Sequence, residues 1–174
     1  MRLPDMGRIV TLDELLDIRR RLREKGRRVV FTNGCFDILH RGHVEYLQKA
    51  KDLGDVLIVG LNSDASVQKL KGPGRPVVDE TDRAHVVAAL EAVDYVCLFE
   101  EDTPRQLIER LVPDVLVKGA DWAISDVVGK DVVEAAGGTV RTIEFLPNRS
   151  TTRLIEKIRT SVPTPSSGNT PQRD

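Results

Sequence analysis

His40 and His43 are the residues of this chain whose type and spacing best suit chemistry on a phosphate. Three positions apart in the first turn of a helix, two imidazoles lie side by side on one face, and both can donate to one anion. The same spacing also makes a surface pair or part of a metal site. The setting favours the phosphate. Gly34 and Gly42 let the backbone come close to a ligand, and the segment from Thr32 to His43 follows the apolar run Val29-Val30-Phe31. A strand exit there would feed a helix whose unpaired N–H groups and dipole attract anions. Asp37, just ahead of the pair, either orients a group of the site or holds the loop by a structural hydrogen bond.

The elements that must position this pair alternate along the chain. Thr11 and Glu14 have capping-box spacing ahead of Leu12, Leu15, Leu16, Ile18 and Leu22, a helical pattern that stops at Gly26. Strands are predicted at 29–31, 56–61, 95–99, 115–117 and 140–145. Helices are predicted at 42–53, 64–70, 80–92, 104–112, 126–136 and 151–159. Thr103-Pro104 with Gln106 reads as a capped helix start, and Gly137-Gly138 as a stop. The strands are continuous apolar runs, as in a parallel sheet covered on both faces. The expectation is an α/β chain: a single Rossmann-like, doubly wound parallel sheet of about five strands with helices on both faces. Residues 1–26 would form a leading helix packed on the domain, 27–160 the domain itself, and 161–174, poor in apolar residues, a disordered tail. Ligands of such sheets bind outside the carboxyl ends of the strands, where the winding reverses, which is where the histidine pair falls.

With 174 residues the chain has room for one domain and one site. Charged residues make up 30% and nearly cancel, at net −1, so the basic footprint of a nucleic-acid binder is missing and phosphate recognition must be local. Cys35 and Cys97 have neither metal-ligand spacing nor a disulfide framework, which suits a reducing compartment, the cytoplasm. No stretch is apolar enough to serve as an export signal or a membrane span.

Further candidates cluster at breaks in the pattern. Lys69-Leu70-Lys71-Gly72-Pro73-Gly74-Arg75-Pro76 is a basic, glycine-punctuated loop able to close cations over a polyphosphate or to be a solvated turn, the latter less so for Lys71. Arg83 opens a helix where a positive charge opposes the dipole, so it suggests an anionic partner, or else an ion pair with Asp79 or Glu80. Asn62 and Asp64 follow the second predicted strand and suit either sugar hydroxyls or a helix cap. Lys118, Gly119, Asp121 and Trp122 follow the fourth, with Trp122 as a stacking wall or a packing residue.

The string Gly34-Cys35-Phe36-Asp37-Ile38-Leu39-His40-Arg41-Gly42-His43 resembles the signature of the cytidylyltransferase-like nucleotidyltransferase superfamily. The resemblance implies direct transfer: a substrate phosphate attacks the α-phosphorus of a nucleoside triphosphate, with no covalent enzyme intermediate. His40 and His43 would stabilise the pentavalent transition state, with Lys71 as a further catalytic cation. Thr32, Asn33, Gly34, Cys35, Phe36, Gly42, Lys118, Gly119 and Asp121 would surround the nucleotide. The superfamily's second motif, Ile-Ser-Ser-Thr-x-Ile-Arg, is matched by the segment from Arg149 to Ile155, so Ser150, Thr151 and Thr152 would meet the β- and γ-phosphates. Ile155 replaces that motif's final arginine, leaving Arg149 or Arg153 to substitute. Asp37, Asn62, Asp64, Arg75 and Arg83 would face the acceptor.

The wider strings, including Val59-Gly60-Leu61-Asn62-Ser63-Asp64 and Leu116-Val117-Lys118-Gly119-Ala120-Asp121, resemble the heptose 1-phosphate adenylyltransferase family over roughly Thr11 to Arg159. The resemblance implies ATP and a sugar 1-phosphate as substrates, ADP-heptose and pyrophosphate as products, Mg2+ carried with the triphosphate and no metal site of the protein's own. It also implies a homodimer. Some members are fused behind a sugar kinase domain; 174 residues leave no room for one, so the freestanding form is expected. Rival readings are a cytidylyltransferase acting on glycerol 3-phosphate or a similar small phosphate, and a nucleotide-binding regulatory module without catalysis. A dinucleotide oxidoreductase lacks the Gly-x-Gly-x-x-Gly that should follow the first strand.

Overall fold

The computed structural model describes residues 6–120, 123–144, 146 and 150–161. Its elements run β1 (Arg8–Ile9), α1 (Leu12–Glu24), β2 (Val29–Gly34), α2 (Arg41–Lys51), β3 (Val56–Asn62), α3 (Asp64–Lys71), α4 (Glu80–Ala88), β4 (Tyr95–Phe99), α5 (Arg105–Leu111), β5 (Val115–Gly119), a 3-10 turn (Ile124–Asp126), α6 (Lys130–Ala135), β6 (Thr139–Ile143) and α7 (Thr151–Ser161). The six strands form one sheet in the order β1-β4-β3-β2-β5-β6, and every pairing is parallel. From β2 the chain winds outward through β3 and β4, then crosses back to β5 and β6. The reversal therefore lies between β2 and β5, and the crevice expected of such a sheet opens beyond Gly34 and Gly119.

Strand alternation sorts the core into two layers. Val30, Leu57, Val59, Leu61, Val96, Val115 and Val117 pack with Tyr46, Leu47 and Ala50 of α2 and Ala84, Val87 and Ala88 of α4. Val29, Phe31, Val56, Ile58, Cys97, Leu116 and Val140 pack with Leu15 of α1, Leu107, Ile108 and Leu111 of α5 and Val133 of α6. Successive residues of one strand thus feed opposite faces, and all seven positions of β3 are buried. The doubly wound architecture is as expected.

Its details differ from the sequence pattern in several places. The sheet has six strands rather than about five, because the two-residue β1 pairs with the start of β4; a strand of two exposed residues has no periodicity to read. Helix α4 ends at Ala88, since the chain must turn back into β4, and Ala92 and Val93 fill the core from that turn. Thr103 does not cap α5: Pro104 is itself the cap residue, and no side chain bonds the helix start. The segment from 126 splits, because Gly129 at φ 87 separates the 3-10 turn from α6. Helix α7 runs on through Ser161, which the sequence pattern assigns to the tail; residues 162–174 lie outside the described residues. At the other end, the Thr11–Glu14 capping box forms and α1 buries Leu15 and Arg19. Among the described residues no helix is long and apolar enough to cross a membrane.

Candidate active site

Strand β2 is driven into the centre of the sheet by its four fully buried residues, Val29 to Thr32. Its exit is shaped by Phe36, which adopts φ 44, a left-handed conformation costly for an aromatic residue, on the order of 1–3 kcal/mol. A Cβ on Gly34 would lie 2.9 Å from the Phe36 ring, so Gly34 is needed to let that ring fold back. The ring is buried and meets His43 edge-on, with centroids 5.3 Å apart. His40 occupies the N-cap of α2, though its side chain does not cap the helix, and the two imidazoles stack at 3.9 Å and 16°. Gly42 is buried in the turn between them. The pair therefore stands at a helix start that carries no acidic residue in its first turn and is open to an anion.

Burial makes His43 a neutral group. Loss of solvent, and secondarily the charge of His40, push its pKa down from 6.5 to about 4. Its Nδ1 is buried without a hydrogen-bond partner among the described residues. Such an atom costs free energy unless a ligand or water satisfies it.

Several predicted residues converge on this point. Lys118, at the end of β5, donates from Nζ to Asn33 Oδ1 at the end of β2, spanning the point of reversal. Gly119 closes β5 and is buried. Thr151 Oγ1 donates to the Ile38 carbonyl at 3.1 Å, so the start of α7 is tied directly to the histidine loop. Ser150 Oγ accepts from the Arg153 N–H, a helix cap, and Thr152 is exposed. Asp121, Trp122 and Arg149 lie outside the described residues. Lys71 ends α3, exposed; its charge, with those of Arg83 and Arg75, reaches the Cys35 thiol, which burial nonetheless pushes up.

Other predicted residues turn inward. Thr32 is fully buried, its hydroxyl 2.8 Å from that of Tyr46, and it fastens α2 to the sheet. Asn62 is buried and donates to Ser66 Oγ. Lys69 pairs with Asp102 in solvent. Asp37 accepts from Arg75 Nε at 2.6 Å and from the N–H groups of Val77 and Val78 at 2.8 and 2.9 Å. Burial would raise its pKa, but the Val78 N–H, the Arg75 side chain and the Val77 N–H outweigh that and hold it below the ordinary value. Asp37 and Arg75 thus pair with one another, and Asp37 fastens the segment from 75 to 78 to the histidine loop.

The largest correction concerns Arg83. Sequence reasoning sets it against the acceptor, or in a pair with Asp79 or Glu80; in the structure its side chain is 0% exposed. Nε donates to the Val78 carbonyl, Nη1 to the carbonyls of Cys35 and Asn62, and Nη2 to Asp64. It lies beneath the site. Asp64 itself lines an open, acidic cleft with Asp79, Glu80, Asp82 and Glu100. Sequence reasoning missed Tyr46 and the N–H pair of Val77 and Val78, for which no local pattern gives a signal.

A chain of this architecture, with an HxxH pair at the exit of its central strand, is a nucleotidyltransferase, and it belongs to the cytidylyltransferase-like family, which residues 31–157 match. It is 59% identical over 155 residues to the bifunctional protein HldE of Citrifermentans bemidjiense, a match covering 89% of this chain and 32% of that protein. It is 63% identical over 136 residues to HldE of Trichlorobacter lovleyi, covering 78% and 28%. The chain thus spans about a third of the length of these relatives. Among solved structures, the lipopolysaccharide core biosynthesis protein of Thermoplasma volcanium superposes with TM-score 0.58 at 29% identity, over 70% of this chain and 98% of that one. A pantoate-beta-alanine ligase of Francisella tularensis shares the fold, with TM-score 0.57 at 15% identity over 88% and 77%.

Proposed function

We propose that the chain transfers AMP from ATP to a heptose 1-phosphate, giving ADP-heptose and pyrophosphate. The observation that carries this reading is the stacked, half-buried His40–His43 pair at the start of α2, tied through Ile38 and Thr151 to the start of α7. Two helix starts then address one polyphosphate, α2 the α-phosphate and α7 the β- and γ-phosphates. An oxygen of the sugar phosphate attacks the α-phosphorus in line, the bond from the α-phosphorus to the bridging oxygen breaks, and pyrophosphate departs with the electron pair. His43, neutral near pH 7, serves as an N–H donor to the oxygens where charge accumulates, and Lys71 supplies positive charge toward the leaving group.

The heptose comes from the residue strings shared with heptose 1-phosphate adenylyltransferases, and the description of the Thermoplasma volcanium relative points to the same glycan chemistry. The acidic cleft at Asp64 suits the hydroxyls of a sugar better than its phosphate. Mg2+ would arrive on ATP and offset phosphate charge while keeping most of its water. The histidine loop offers it no free carboxylate, since both oxygens of Asp37 already accept from the protein, and no cluster of three or more His, Cys, Asp or Glu side chains suited to a metal lies among the described residues. A reducing compartment, the cytoplasm, fits the free Cys35 and Cys97.

The test pairs ATP or CTP with heptose 1-phosphate or glycerol 3-phosphate and follows pyrophosphate release. Turnover with ATP and heptose 1-phosphate alone is expected. A preference for CTP and glycerol 3-phosphate would overturn the assignment and keep the class.

A further inference from the structure

A buried arginine with four protein acceptors is costly to build unless those contacts serve a purpose, and those of Arg83 are not scattered. Its guanidinium reaches the exit of β2 (Cys35 carbonyl, 2.6 Å), the exit of β3 (Asn62 carbonyl, 2.9 Å), the start of α3 (Asp64, 2.6 Å) and the segment leading into α4 (Val78 carbonyl, 2.9 Å). Each of these adjoins a group of the proposed reaction. Cys35 precedes Phe36, whose ring edge sets His43, and the Val78 segment is the one Asp37 fastens with Arg75.

We propose that Arg83 is the positioning residue of this nucleotidyltransferase: one guanidinium fixes the histidine loop relative to the β3 exit and the Arg75–Val78 segment, and so sets the geometry in which the histidine pair meets substrate. Arg83 touches no substrate itself. The proposal rests on the site reading above, in which His40 and His43 act on the triphosphate.

The chain contains its own control. Arg19 is a second buried arginine, donating to the Leu111 and Val112 carbonyls and to Asp114. Asp114 lies just before β5 and accepts from the Val29 N–H at the start of β2, at the opposite end of the strands from the histidines. If buried arginines here merely support the fold, Arg83→Lys and Arg19→Lys should behave alike.

Both variants are made in the full chain and followed by thermal unfolding, by NMR titration of the His43 imidazole and by steady-state turnover. Both should unfold at lower temperature. In Arg83→Lys alone, the loosened loop should admit water to His43 and raise its pKa from about 4 toward 6.5, and kcat should fall about 100-fold, the scale of a misplacement near 1 Å. An Arg83→Lys protein whose His43 titration and kcat match those of Arg19→Lys would overturn the proposal. Should Arg83→Lys fail to fold, Asp64→Ala removes one partner and keeps the arginine; a smaller rise in the His43 pKa is expected, and an unmoved titration refutes the idea. The titration needs no substrate, so a protein inactive on ATP and heptose 1-phosphate that still shows the His43 shift would sink the substrates and leave the role of Arg83 standing.

Discussion

A histidine kept neutral by burial must weaken the fold as pH falls, and the size of that effect follows from its two pKa values. Unfolded, the His43 ring titrates near 6.5; folded, loss of solvent and the charge of His40 hold it at about 4. Between those values the unfolded chain binds the proton that the native chain refuses, so native stability is complete above pH 6.5 and declines as pH falls toward 4. A gap of this size corresponds to about 3 kcal/mol, and about 2 is a safer figure because the ring keeps some contact with solvent and shares its titration with His40. His43→Asn keeps a polar group of similar width and cannot titrate. Urea unfolding of both proteins from about pH 7.5 to 4.5 gives the difference in stability at each pH, and other carboxylates cancel in that difference. The advantage of wild type over His43→Asn should shrink by about 1 kcal/mol per pH unit below 6.5. Parallel curves would refute the claim that His43 is buried neutral, and with it the picture of a neutral N–H donor in the reaction.

Lys71→Met separates chemistry from folding, because Lys71 is exposed and has no ion pair among the described residues. Its unfolding midpoint should stay within about 0.5 kcal/mol of wild type, whereas turnover should fall on the order of 100-fold if the charge meets the leaving group; equal turnover would remove it from the mechanism. Thr151→Val deletes the bond to the Ile38 carbonyl, worth about 1 kcal/mol, and should raise KM for the triphosphate more than it lowers kcat. An unchanged KM would detach α7 from the triphosphate.

The layered core was legible because central parallel strands are apolar throughout, and nothing else in the chain imitates a run such as the one from Val56 to Leu61. The histidine pair was legible because its meaning lies in local spacing. What the sequence did not show was direction. Arg83 looks like an anion binder when read along its helix, but the residues that claim it, Cys35, Asn62 and Asp64, come from two other strand exits. Thr32 belongs to a motif that faces ligand at one end, yet strand alternation turns its side chain toward Tyr46. The partners of Asp37, the Val77 and Val78 N–H groups, lie about forty residues further along. Contacts across that separation leave no periodic trace in a single sequence.

These inward turns change how a chain of net charge −1 can hold a triphosphate. Of the cations that sequence reasoning gathers at the site, Arg83 is enclosed by carbonyls and Asp64, Arg75 is held by Asp37, and Lys118 reaches Asn33. Lys71 is exposed to solvent at the end of its helix, and Lys69 and Arg153 are exposed as well. In the proposed reaction attraction by side-chain charge is therefore modest, and Mg2+ arriving with ATP would offset much of the phosphate charge. What the protein adds is directional: N–H groups at two helix starts and imidazoles held in one orientation, donors that need not reorganise as charge moves from attacking to leaving oxygen. Buried arginines that never meet the substrate fit this arrangement, because a site built on direction requires its loops to be held more firmly than one built on charge.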